Sequence, residues 1–176
     1  QQVVAAAEEG NSILDLCTGS GAIAVAVYKE LEKNKRKASV TASDISEEAL
    51  ALAKENAEEN GADIAFVQSD LFSRIRGRFD IIVCNPPYIP SGDIAGLQRE
   101  VRDFEPRLAL DGGADGLDYY RRIAEDAGKY LVRGGMLVME VGLGEAESVV
   151  KLFRYCDYSM VVKDFNGIDR FVKIVF

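Results

Sequence analysis

Short apolar runs alternate with amphipathic, helix-length stretches along most of this chain, and that rhythm leaves few architectures open. Ser12–Leu16 reads as a buried strand, followed by a Gly-rich turn and an apolar helix over Ala22–Leu31. Ala38–Ser43 is a second strand. Ser46 then caps a helix with Glu47 and Glu48 in its first turn, and Asn60-Gly61 ends it. Ile64–Gln68 and Phe79–Cys84 are the third and fourth strands, the latter halted by Asn85-Pro86-Pro87. Leu117–Val132 has helical periodicity broken by Gly134-Gly135. Met136–Val141 reads as a fifth strand and Ala146–Cys156 as a further helix. Ser159–Lys163 and Arg170–Val175 alternate in polarity and are joined through Asn166-Gly167, a hairpin signal. Strand–helix alternation closed by a hairpin predicts an α/β fold with a mainly parallel sheet and one antiparallel strand.

Between the fourth strand and the next helix, residues 89–116 are rich in Gly, Pro and Asp and read as loop, with one helical turn near Leu97–Phe104. So long an irregular stretch inside a compact domain points to a binding loop or lid. The 176 residues make one domain, 1–176, and no apolar run reaches the ~20 residues that cross a bilayer. The chain lacks an initiator Met and opens in what reads as the middle of a helix. It is therefore expected to be part of something longer.

Composition removes several chemistries. There is no histidine, which excludes imidazole as a base, and Cys17, Cys84 and Cys156 are widely spaced without a Cys-x-x-Cys pair. No metal site and no disulfide framework are expected, and a reducing, cytoplasmic setting fits best. Cys17 and Cys84 sit beside predicted strands, where a free thiol behaves as a small hydrophobe. The formal charge of −8 argues against direct nucleic-acid binding. The only basic cluster, Lys33, Lys35, Arg36 and Lys37, lies where cations complement a helix C-terminus.

Four short motifs carry the chemistry. In the first, Asp15-Leu16-Cys17-Thr18-Gly19-Ser20-Gly21 joins a strand to a helix. Its glycines let the backbone approach a ligand, and the helix start offers free N–H groups. The spacing is not Gly-x-Gly-x-x-Gly, and the acid at the strand end would repel a pyrophosphate. It would attract the ammonium and sulfonium of S-adenosylmethionine. The alternative is a tight strand–helix connection. The second motif is Asp44, at the end of the second strand, where an acid can accept both ribose hydroxyls of a nucleoside, or merely precede the cap at Ser46.

In the third, Ser69-Asp70-Leu71-Phe72, Asp70 can accept from an adenine amino group with Leu71 against the ring. An ordinary N-cap would use the same residue. The fourth, Asn85-Pro86-Pro87-Tyr88, decides the reaction class. An amide nitrogen is a poor nucleophile, and a neutral amide offers no readily removed proton. The Asn85 side-chain oxygen and the Pro86 carbonyl can each accept one N–H of a substrate NH₂ group, aiming its nitrogen at a methyl donor without an ionised base. The prolines stiffen the turn and Tyr88 supplies a flat face. The same residues would also serve as a turn that only stops a strand.

Taken in order, Asp-Leu-Cys-Thr-Gly-Ser-Gly, Ser-Asp-Ile-Ser, Gln-Ser-Asp-Leu-Phe and Asn-Pro-Pro-Tyr resemble the class I S-adenosylmethionine-dependent methyltransferases. More narrowly, the run Glu105 to Arg121, with Glu140-Val141-Gly142 and Gly167-Ile168-Asp169-Arg170, is similar to the HemK/PrmC family. That family methylates the glutamine amide in the Gly-Gly-Gln motif of peptide chain release factors. The resemblance covers nearly the whole chain. It implies a Rossmann-like, seven-stranded sheet with helices on both faces, S-adenosyl-L-methionine as donor and S-adenosyl-L-homocysteine as product. It also implies a cofactor site of Asp15, Cys17, Thr18, Gly19, Ser20, Gly21, Asp44, Asp70, Leu71 and Asn85, and a glutamine site of Asn85, Pro86, Pro87 and Tyr88.

Two departures stand out. Cys17 takes the place of the loop's commoner first glycine, which is tolerable if its φ is negative. The family's amino-terminal helical domain, the expected release-factor docking surface, and its Pro-Arg-Pro-Glu-Thr-Glu segment do not occur in these residues. This chain is therefore expected to bind cofactor and to methylate its protein substrate poorly. Competing readings are glutamine methylation of a ribosomal protein, methylation of an exocyclic amine in DNA or RNA, a non-catalytic cofactor-binding partner, and a nicotinamide-dependent oxidoreductase.

Overall fold

A computed structural model describes residues 2–176. Seven strands, β1 (Ser12–Leu16), β2 (Ser39–Asp44), β3 (Ile64–Gln68), β4 (Phe79–Cys84), β5 (Leu131–Glu140), β6 (Tyr158–Lys163) and β7 (Asp169–Val175), form one sheet in the order β3-β2-β1-β4-β5-β7-β6. β1 to β5 pair in parallel, and β7 alone runs against its neighbours. This is the expected architecture, with its single antiparallel strand supplied by the hairpin. Neighbouring β1 and β4 lead their chains away in opposite directions across the sheet. The crevice above their carboxyl ends is where such folds receive ligands.

Period-2 alternation divides the core into two layers. Ile13, Val40, Ala42, Ile81, Val83 and Val138 face one side, under α1 (Gln2–Ala6), α2 (Ala22–Lys33) and α3 (Glu47–Glu59). Leu14, Leu16, Ile82, Cys84, Leu137 and Met139 face the other. There Tyr120, Ile123 and Ala127 of α6 (Asp118–Tyr130) and Ala146 and Val149 of α7 (Ala146–Val150) cover them. Ser46 caps α3 as expected, its hydroxyl accepting from the Ala49 N–H at 3.1 Å. In the basic cluster after α2, Lys33 pairs with Glu30 at 3.6 Å and Arg36 donates to the Ala7 carbonyl at 2.6 Å. Among the described residues no helix is long and apolar enough to cross a membrane.

The structure departs from the sequence reading at three elements. β5 begins at Leu131, and Gly134-Gly135 lie inside it rather than ahead of it. The pairing jumps there from Phe79–Leu131 to Ile81–Met136, so the glycines mark an irregular strand, with Gly134 at φ 78°. α7 stops at Val150, well short of Cys156, because the chain turns to bury Phe153 against the core. Residues 89–116 hold a short 3₁₀ turn (Ile94–Gly96) and two short helices, α4 (Arg99–Phe104) and α5 (Arg107–Leu110).

Candidate active site

β1 delivers the Gly-rich loop to the crevice. Thr18 N–H donates to the Ser43 carbonyl at 2.9 Å, and Gly21 N–H to the Thr18 carbonyl at 3.0 Å. Gly21 has φ 79°, and a Cβ there would stand 2.9 Å from the Ala53 Cβ. Only glycine lets α3 close on the start of α2. Asn56 of α3 also donates to the Ser20 carbonyl at 2.8 Å. Cys17 overturns the condition set for it: its φ is 59°, in the left-handed region. A non-glycine residue there costs roughly 1–2 kcal/mol. The reversal swings its side chain back onto the α6 face, against the layer that holds Leu16 and Cys84.

Two acids organise this loop. Asp15 is fully buried on the α2 side. Its Oδ2 accepts from the Thr18 hydroxyl at 2.5 Å and from the Ala24 N–H at 3.0 Å. It thereby satisfies one free N–H of the first turn of α2, whose N-cap, Gly21, has no side chain. Among the described residues its Oδ1 is buried without a partner, and so is the hydroxyl of Ser43 near the end of β2. Burial, opposed by the Thr18 and Ala24 hydrogen bonds, pushes the Asp15 carboxyl up to about 7. Asp44 accepts from the Gly19 N–H at 2.9 Å through one oxygen and from the Ser46 N–H at 3.0 Å through the other. Both readings of Asp44 therefore meet in one carboxylate: it precedes the cap and faces the loop.

Among the described residues no helix stands between β3 and β4, so Asp70 is not an N-cap, and the turn there is closed by Ser69. Its hydroxyl donates to the Leu71 carbonyl at 2.6 Å and accepts from the Arg74 N–H at 2.9 Å. Leu71 is buried with φ 46°. Asp70 is exposed and bonds Arg122 of α6 at 2.7 Å through Oδ1. Strained backbone at Cys17 and Leu71 thus sits on this one edge of the sheet, as it commonly does at functional sites.

β4 ends at Cys84, and Asn85 emerges exposed, with no hydrogen bond to its side chain among the described residues. Pro86 and Pro87 are buried. Tyr88 is half-buried, its hydroxyl donating to Glu140 Oε1 at 3.4 Å, and burial with the nearby Glu140 charge raises it above its ordinary range.

Residues 89–116 are clamped to this turn. Ile89 N–H donates to the Leu110 carbonyl at 2.9 Å, and Gly112 N–H to the Ile89 carbonyl at 2.8 Å. The Ser91 hydroxyl reaches Asp111 at 2.5 Å. A Cβ on Gly112 would stand 2.7 Å from the Tyr88 Cα, and one on Gly116 would collide with the Tyr88 carbonyl and with Glu145. Asp115 bonds Arg121 and the Leu117 N–H, and Arg121 holds its carboxyl down at about 2. Its contacts are those of a structural residue.

The Gly-rich loop after β1, the carboxyl ends of β2 and β3 and the exposed amide after β4 therefore share one edge of the sheet. A groove of about 1060 Å³ adjoins them at Ala22 and Cys84 and runs along Ile23 and Val27 to Phe171. The sequence profile of the methyltransferase small domain family matches residues 2–100, from α1 through the Asn85–Tyr88 turn. The chain belongs to the methyltransferase small domain family.

Over 176 residues this methyltransferase-family chain is 46% identical to the release factor glutamine methyltransferase of Geobacter sulfurreducens, covering 98% of this chain and 60% of that protein. It is 48% identical over 162 residues to the release factor glutamine methyltransferase of Agrobacterium fabrum, covering 90% of this chain and 55% of that protein. It thus spans somewhat over half the length of these curated relatives. A crystal structure of a methyltransferase from Pyrococcus furiosus superposes with a TM-score of 0.71 at 17% identity, over 98% of this chain and 78% of that one. That likeness establishes the shared fold.

Proposed function

We propose that this chain is the single catalytic domain of a protein-glutamine N-methyltransferase. In this reading it moves a methyl group from S-adenosyl-L-methionine to the side-chain amide nitrogen of a glutamine, in the Gly-Gly-Gln motif of a peptide chain release factor. The relatives' names favour that substrate, and the net charge of −8 favours a protein over a nucleic acid. The observation that carries the reading is Asn85: an exposed amide with no hydrogen-bond partner among the described residues, at the tip of β4 beside the Gly-rich loop of β1.

The residues present fit the donor. Cys17 to Gly21 offer loop backbone, and a Cβ at Gly19 would meet nothing within 4 Å, so that segment opens outward. Asp15 Oδ1 is a buried oxygen awaiting a positive partner, and Asp44, Asp70 and Leu71 line the next two strand ends. When bound, S-adenosylmethionine supplies a methyl group made electrophilic by its sulfonium. Asn85 Oδ1 and the Pro86 carbonyl each accept one N–H of the glutamine amide. They orient its nitrogen and stabilise the positive charge that develops on it. Pro87 fixes the turn and Tyr88, held by Glu140, gives the amide a flat wall. S-adenosyl-L-homocysteine leaves as product.

Mass spectrometry tests this reading after incubating the chain and cofactor separately with a release factor, a ribosomal protein extract and DNA. The expected result is one added methyl on the glutamine of Gly-Gly-Gln, in low yield because the chain spans little over half of its relatives' length. Methylation confined to either of the other two would refute the substrate assignment.

A further inference from the structure

Cys17 and Cys84 stand at the tips of neighbouring parallel strands. Leu16, just before Cys17, is the register partner of Cys84. Partners on adjacent strands lie roughly 5 Å apart, so Cα atoms offset by one residue fall near 6 Å, inside the window a disulfide spans. An extended backbone would turn Cys17 to the α2 face, away from Cys84. The φ of 59° instead sets it on the α6 face, against the apolar layer that includes Cys84. Cys17 is partly exposed, and Cys84 is buried. Cys156 lies on the connection to β6, donating to the Phe153 carbonyl at 3.2 Å.

We propose that Cys17 and Cys84 form a dithiol modification site for hydroperoxides, in which oxidation joins the two sulfurs and closes the cofactor site from its floor. The Cys17 sulfur attacks one oxygen of hydrogen peroxide and the O–O bond breaks. The departing oxygen takes the thiol proton and leaves as water, and Cys17 becomes a sulfenic acid. The Cys84 sulfur then displaces the sulfenic hydroxyl, which takes the Cys84 proton and leaves as the second water. The two thiols lose two electrons between them, and one peroxide becomes two waters.

Exposure sets the order, since Cys17 is partly exposed and Cys84 is buried. Burial holds the Cys84 thiol well above its ordinary range, so Cys84 does not react first and attacks only the sulfenic acid formed beside it. The consequence for binding rests on the cofactor reading above. Cys17 opens the loop whose Thr18 and Gly19 amides are fixed by Ser43 and Asp44, and Cys84 directly precedes Asn85. A covalent tie therefore fixes the start of the donor loop to the β4 tip, so that the loop cannot adjust to the donor.

The test treats the purified chain with hydrogen peroxide, alkylates the remaining thiols, digests without reduction and maps the peptides by mass spectrometry. Cys17 and Cys84 peptides should be found joined, with Cys156 still alkylated, and dithiothreitol should separate them. Calorimetry with S-adenosyl-L-homocysteine should show at least a tenfold loss of affinity on oxidation, restored by the reductant. Cys84→Ala should bind as the reduced chain does and yield no joined peptide. If that variant does not fold, the mapping on the unaltered chain still decides.

Cys17 driven to sulfinic acid with Cys84 unmodified would overturn the proposal. So would a joined pair with unchanged affinity. A reduced chain that fails to bind S-adenosyl-L-homocysteine would instead sink the cofactor reading, and absence of the joined peptide would sink the dithiol.

Discussion

Asp15 is a carboxyl group in a place that disfavours its charge, and its titration is therefore measurable in the fold. Between about pH 4 and pH 7 it is protonated in the folded chain and ionised in the unfolded one. Folding then takes up a proton, so its contribution to stability declines as pH rises through that window and levels off above about 7. Asp15→Asn keeps an oxygen for Thr18 and Ala24 and should flatten that decline, which denaturant titrations at pH 5 and pH 8 would reveal. An identical pH dependence in both proteins would contradict the assignment. A cation seated against Asp15 Oδ1 reverses the local preference, so affinity for S-adenosylmethionine should rise from pH 6 to pH 8 in the parent chain and less in Asp15→Asn.

Asn85 belongs to the same scale, but among the described residues its side chain makes no hydrogen bond. Asn85→Ala should lower turnover by roughly 100-fold or more, the effect of losing an oriented acceptor. The cofactor dissociation constant should move far less. Comparable losses in both would show that Asn85 serves the donor and not the amide.

Among the elements, the clamp of residues 89–116 on the Asn85–Tyr88 turn makes the sharpest prediction. Gly112→Ala would push a methyl group to 2.7 Å from the Tyr88 Cα. Overpacking of this kind costs about 1–3 kcal/mol, so denaturant midpoints should fall and turnover should fall with them as Tyr88 is displaced. An active, equally stable variant would mean that the segment is free of the turn.

Elements bounded by chemistry were legible in the sequence. β1, β3 and β4 begin and end where read, because Asn11, Gly61 and Asn85-Pro86 punctuate apolar runs. The start of β5 was not, since Gly134-Gly135 reads equally as a helix stop and as an irregular strand. The same division holds in the site. Asp15, Asp44 and Asn85 were visible from their positions at strand ends. The Asp70–Arg122 bond joins residues 52 apart, and the left-handed turn at Cys17 answers to packing on the far face. Neither contact leaves a local signal.

At the scale of the molecule, the order β3-β2-β1-β4-β5-β7-β6 explains why four motifs spread over the first half of the chain meet. Parallel strands deliver all their carboxyl ends to one edge, and the switch between β1 and β4 opens the crevice there. A ligand that binds only the folded chain stabilises it, by about 2.7 kcal/mol at a concentration 100 times its dissociation constant. S-adenosyl-L-homocysteine should therefore raise the melting temperature of the chain and of Asn85→Ala alike. Asp44→Ala, which removes an acceptor beside the loop, should lose most of that rise.

The most direct test is a crystal structure of the chain with S-adenosyl-L-homocysteine. The homocysteine should lie along Cys17 to Gly21, the ribose hydroxyls on Asp44, and the sulfur facing the Asn85 side chain. An adenosyl group bound elsewhere, or an Asn85 amide turned away from the sulfur, would contradict the account.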